Sequence, residues 1–165
     1  MKIKIDPFDP ASIGRAIVQL REYQRDFEEK EREFLRRLAQ IGARVAEAGF
    51  ATADYDGVND VKVSWEQSGS RARVIAAGET VGFIEFGTGI RNPEWDSSGM
   101  DYTPPAHGTY GKGKGANPNG WYFTPSPGAA GRHTYGNAPA NAMLTARNEM
   151  IDRVTQIARE VWRND

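Results

Sequence analysis

From Ser12 to Ala48 the chain places apolar residues at intervals of three and four. Only a helix brings such residues onto one face. The positions are Ile13, Ile17, Leu20, Phe27, Phe34, Leu38, Ile41 and Val45, with Gln24 and Glu31 in the same stripe and Tyr23 and Leu35 widening it. Ser12 is the expected N-cap. Between Arg21 and Arg37 charges of both signs interleave, so the helix buries a narrow seam and exposes the rest. Unbroken, it would run roughly 55 Å at ~1.5 Å per residue, which is long for a chain of 165 residues. Two arrangements accommodate it. The helix lies on the subunit's own sheet, with a kink near Gly42, or part of it packs on another subunit. The polar breaks favour a division: Phe34 to Val45 on the subunit's own core, and Ile13 to Phe27 projecting, with Ile17 and Leu20 as interface residues.

The most apolar run of the chain is Val81-Gly82-Phe83-Ile84-Glu85-Phe86-Gly87-Thr88-Gly89. Short and closed by glycines, it predicts a strand buried on both faces. Upstream, Val61, Val63 and Trp65 alternate with polar residues, Ser68-Gly69-Ser70 is a turn, and Arg71 to Ala77 is a second strand. Trp121 to Thr124 predicts a fourth strand, stopped by Pro125. A helix from near Ala140 presents Met143, Met150, Val154, Ile157 and Val161. The expectation is a single α+β domain over 1–165: a long N-terminal helix, a small antiparallel sheet of about four strands, and a C-terminal helix packed on it. Residues 1–11 form an arm. The Gly/Pro-rich stretch 88–120 forms a long loop, with Trp95, Tyr102 and Tyr110 as further interface candidates.

Composition excludes several classes. The net charge is −1, which gives no basic surface for nucleic acid or an acidic membrane. Without cysteine there are no thiolate ligands, disulfides or thiol nucleophiles. No apolar run approaches the ~20 residues of a membrane span. His107 and His133 could meet Glu85, Asp96 or Asp101, but their spacing matches no metal pattern. Glu85 with Asp96 or Asp101 could form a glycosidase pair. The simpler role for Glu85 is structural, paired with an arginine or accepting amides where the backbone turns into the long loop. Gly111-Lys112-Gly113-Lys114-Gly115 lacks the order of a phosphate-binding loop. The residues therefore predict no catalytic, metal or cofactor site.

The run Val-x-Phe-Ile-Glu-Phe-Gly-Thr-Gly follows a charged helix and a hairpin. It precedes a Trp121–Phe123 strand and a Gly-x-x-x-x-Gly-x-x-Pro-Ala approach, Gly131 to Ala140, to the last helix. This ordered set resembles the tail-completion, or head–tail joining, proteins of long-tailed bacteriophages and prophages. The hallmark segment is Glu85, Phe86, Gly87, Thr88 and Gly89. The resemblance implies a non-enzymatic virion component of the neck or tail, assembled in the host cytoplasm. It implies a homo-oligomeric ring, often of six subunits, contacting the head–tail connector and the tail tube or terminator. DNA would pass such a ring without specific binding, and no membrane or cofactor would take part. A tail terminator or other tail accessory is the neighbouring alternative, and a peptidoglycan glycosidase with Glu85 as acid is the enzymatic one.

Overall fold

A computed structural model describes residues 3, 5–55, 57–88, 111–113, 117–124 and 128–163. The expected loop 88–120, Gly89, Trp95, Tyr102 and Tyr110 lie mostly or wholly outside these residues, as do Asp96, Asp101 and His107. The order of elements is α1 (Pro10–Ala51), β1 (Lys62–Ser68), β2 (Arg71–Ala77), α2 (Val81–Phe86), β3 (Trp121–Phe123), β4 (Arg132–Thr134) and α3 (Ala142–Trp162). The class is α+β, with long N- and C-terminal helices. The strands form two separate antiparallel pairs, β1–β2 and β3–β4.

Helix α1 runs unbroken for 42 residues, without a kink at Gly42. Its N-cap is Asp9, not Ser12. The Asp9 carboxylate accepts from the Ala11 N–H at 2.9 Å, and Pro10 at the first helical position needs no N–H partner. Ser12 lies inside the first turn, buried, and its hydroxyl accepts from the Asp6 N–H at 2.7 Å. The chain at Asp6 thus turns back on the start of the helix.

Helix α3 packs along α1, antiparallel to it. The sequence placed α3 on the sheet; its main partner is α1, which also carries the β1–β2 hairpin. In the second half of α1 the buried residues are small, Ala39, Gly42, Ala43 and Ala46, with Phe50 at the end; Ser12 and Ala16 are buried near its start. On α3, Ala142 and Ala146 are both 1% exposed, and Ala142 lies against Gly49. Small residues let the two backbones approach closely. A Cβ on Gly49 would stand 2.7 Å from the Ala142 Cβ, and one on Gly42 would stand 2.5 Å from the Met150 Sδ. We expect Gly49→Ala to destabilise the chain by about 1–3 kcal/mol, despite alanine's better helix propensity. Gly14, where a Cβ would meet nothing within 4 Å, should gain about 0.5–1 kcal/mol on the same change. Chemical denaturation of both variants checks the contrast.

The main core sits where the end of α1, the base of the hairpin, α2 and the start of α3 converge. Phe50, Ile84 and Ala142 are its centre, with Tyr55, Val61, Val63, Ala76 and Met143 around them. The β1–β2 ladder pairs Val63 with Ala76 and Trp65 with Val74 across a two-residue turn, as the alternation predicts. The third expected strand is absent: Val81–Phe86 is a helical turn and a half. Ile84 and Glu85, adjacent in sequence, are both buried, while Phe83 and Phe86 are 53% and 37% exposed. Burial of neighbours is a helical pattern, since a strand sends them to opposite faces. The helix is launched by Asp60, whose carboxylate accepts from the N–H groups of Glu79 and Thr80 and from the Thr80 hydroxyl. Those three donors, the hydroxyl foremost, hold its pKa below the usual range.

On α1, Arg36 and Arg37 both donate to Glu33, at 2.8 and 2.6 Å. These bonds hold the Glu33 carboxyl at about 2, against an ordinary 4.5. A depressed folded-state value stabilises above the unfolded value and loses that contribution as pH falls through the folded one. Glu33 should therefore contribute fully above pH 4.5 and progressively less down to about pH 2. The group is one-third exposed, so the size is at most about 1 kcal/mol. Glu33→Gln should flatten this part of the pH–stability curve.

Candidate functional site: the Glu85 clasp

Three features bring the Glu85–Thr88 segment against the approach to α3. The backbone carbonyl of Ile84 accepts from the Ala140 N–H at 2.8 Å, and that of Glu85 from the Asn141 N–H at 3.2 Å. Gly87 then turns with φ +73°, and its missing side chain leaves room for the chain opposite. A Cβ there would stand 2.6 Å from the Asn137 carbonyl oxygen and 2.8 Å from the Pro139 nitrogen. Both the conformation and the approach need glycine. Thr88 closes the contact: its N–H donates to the Asn137 carbonyl, and its hydroxyl accepts from the Asn137 N–H, each at 3.0 Å.

The Glu85 side chain completes it. The carboxylate is 5% exposed. It accepts from the Met143 N–H at 3.0 Å to Oε2 and 3.2 Å to Oε1, and from the Leu144 N–H at 3.3 Å to Oε1. Met143 and Leu144 are the second and third residues of α3, the positions an N-cap side chain ordinarily serves. The α3 N-cap, Asn141, is left-handed at φ 50° and makes no capping bond through its side chain. Glu85 supplies from α2, 58 residues earlier in the chain, what the local residue does not. Its charge also sits at the positive end of the α3 dipole.

The sequence left Glu85 either an arginine or the backbone turning into the long loop; its carboxylate accepts from the backbone of the α3 N-terminus instead. Of the other expected site residues, Phe86 is exposed and Gly87 and Thr88 form the clasp. Ile17 and Leu20 are 45% and 53% exposed. His133 lies in β4, with its ring 5.0 Å from Tyr122 and 4.7 Å from Tyr135, and its Nε2 3.0 Å from the Asn119 carbonyl oxygen. Strand β4 falls in a stretch read from sequence as loop. Three residues paired with Trp121–Phe123 give too short a pattern to read. An open groove of about 680 Å³ runs between α1 and α3 past Arg37, Ile41, Val45 and Ile157. Arg37 and Arg153 on its rim are ion-paired with Glu160 and Glu149.

Among the described residues no three His, Asp or Glu side chains are grouped to hold a metal ion, and no helix is long and apolar enough to cross a membrane. No family model, curated protein or solved structure matches the chain.

Proposed function

We propose that this chain is a structural component of the phage head–tail interface, a tail-completion or head–tail joining protein. The observation that carries the reading is the clasp. Two stretches on which the resemblance rests, the Glu-Phe-Gly-Thr-Gly segment and the Gly131–Ala140 approach, meet in space and bond to each other. The third, Trp121–Phe123, is a strand. In this reading the motif is a folding device shared for its geometry, and Glu85 is structural: its oxygens are committed to backbone N–H groups rather than turned to a cleft. The exposed apolar half of α1 suits a protein that functions in an assembly. The partners would be further copies of the chain in a ring, commonly of six, with the connector on one side and the tail tube or terminator on the other, inside the virion. The near-neutral charge suits a ring through which DNA passes unbound.

The test is genetic and visual. Disrupting the gene in the phage or prophage that carries it should leave filled heads and finished tails unjoined in electron micrographs. Intact infectious particles would overturn the proposal.

A further inference from the structure

Helix α3 covers the apolar stripe of α1 only in part. It starts with Ala142 beside Gly49 and ends with Trp162, whose ring lies 5.5 Å from that of Phe34 and 6.1 Å from that of Phe27. The stripe does not stop there. Toward the N-terminus it continues through Gln24, Leu20, Ile17 and Ile13, still at intervals of four and three. Its large side chains stay open: Ile13, Ile17, Leu20 and Tyr23 are 49%, 45%, 53% and 52% exposed, while Ser12 and Ala16 on one flank are buried. About 17 residues of α1, roughly 25 Å of helix, extend past the end of α3.

We infer that a second copy of this chain covers this stripe, its own α1 lying antiparallel across the first. Three observations select this occupant and fix its register. First, the 4–3 spacing is that of a coiled-coil seam, and in an antiparallel pair the two kinds of seam position alternate across the interface. Ile17 then faces the partner's Leu20, Leu20 faces the partner's Ile17, and Ile13 faces the partner's Gln24 at each end of the seam. On one flank Arg21 lies over the partner's Gly14, so no two like charges meet there. Second, a partner helix in this direction runs the same way as α3 and prolongs its track. In this register the partner's helix begins beside Phe27, where α3 stops. A slip of seven residues one way drives the partner's first turns into Trp162; the other way it leaves Gln24 and Phe27 uncovered. Third, the junction is complementary. The last turn of α3 carries Arg159 and is followed by Arg163, at the negative end of its dipole. It meets the positive end of the partner's helix, beside the partner's Asp6; the partner's Asp9 is paired with Arg15 of its own chain. Phe8, 94% exposed just before α1, comes to the same junction.

Such a contact is isologous and closes on itself as a two-fold dimer. It is separate from the head-to-tail contact of a ring and does not rest on the head–tail reading.

The experiment uses the full chain, which has no cysteine of its own. Two single-cysteine variants, Ile13→Cys and Gln24→Cys, are oxidised separately and as a mixture. The expected result is disulfide-linked dimer from the mixture and little from either variant alone. Sedimentation should show a dimer for the unaltered chain. The double variant Ile17→Asp with Leu20→Asp should weaken dimerisation by at least about 100-fold, as for two central hot-spot residues, with the melting temperature extrapolated to the monomer unchanged. Cross-linking of Ile13→Cys with itself would mean a parallel pair and would overturn the inference. So would a monomer at all concentrations, or a double variant that unfolds the isolated subunit, which would mean that the chain's own residues cover the stripe.

Discussion

Phe50→Ala should destabilise the chain by about 3–5 kcal/mol, the range for emptying a buried aromatic site. Phe50 is 2% exposed and stands at the one point where all the larger elements meet. Around it are Ile84 from α2, Ala142 from α3, and Val63 and Ala76 from the hairpin. Its own carbonyl accepts from the Asn59 side chain at 2.8 Å, which ties the chain leaving α1 to the same place. The cavity cannot close easily, because Gly49 next to it already brings two helix backbones together. A urea titration should show the midpoint falling with little change in slope. A loss below about 1 kcal/mol would mean that the site collapses freely and that the convergence is not the core.

Glu85→Ala is expected to cost about 2–4 kcal/mol, because it strands two N–H donors at a buried helix terminus. Glu85→Gln keeps one acceptor oxygen but turns an amide donor toward other donors, so it should cost roughly 1–2 kcal/mol. The order of the two losses carries the information. A carboxylate that serves structure loses stability in both variants, more in the alanine. A carboxylate retained for proton transfer would tolerate glutamine with stability nearly intact. Thermal melts of the two variants, read beside the unaltered chain and with a peptidoglycan-release assay, separate the cases.

The long helix was legible because its signal is repeated over many turns, so a local error such as taking Ser12 for Asp9 as N-cap shifts only an end. Its deepest face was not. Ile41 and Leu38 are half-buried, while Ala39, Gly42, Ala43 and Ala46 are buried, Gly42 between Met150 of α3 and Val74 of β2. Reading by large apolar side chains passes over small ones, although Gly42 and Gly49, seven apart on one face with alanines between, were the available sign. The Val81–Phe86 run failed for a different reason. A run of six residues is too short to show a period, and the Asp60 contacts that start a helix there come from 20 residues upstream. That Glu85 needs either an arginine or backbone amides follows from a carboxylate in an apolar run. Which amides it accepts depends on α3 meeting α2, and no local pattern contains that. The left-handed Asn141, which leaves the α3 terminus to be capped from elsewhere, is likewise a tertiary fact.

The measurement closest to the central claim is amide hydrogen exchange at Met143 and Leu144 in the unaltered chain and in Glu85→Ala. Free N–H groups in the first turn of a helix exchange quickly unless something caps them. The clasp predicts that both amides are protected when Glu85 is present. In the alanine variant they should exchange much faster, while amides in the middle of α1 change only as far as overall stability falls. Equal exchange at Met143 and Leu144 in the two proteins would contradict the assignment of Glu85 as the cap of α3.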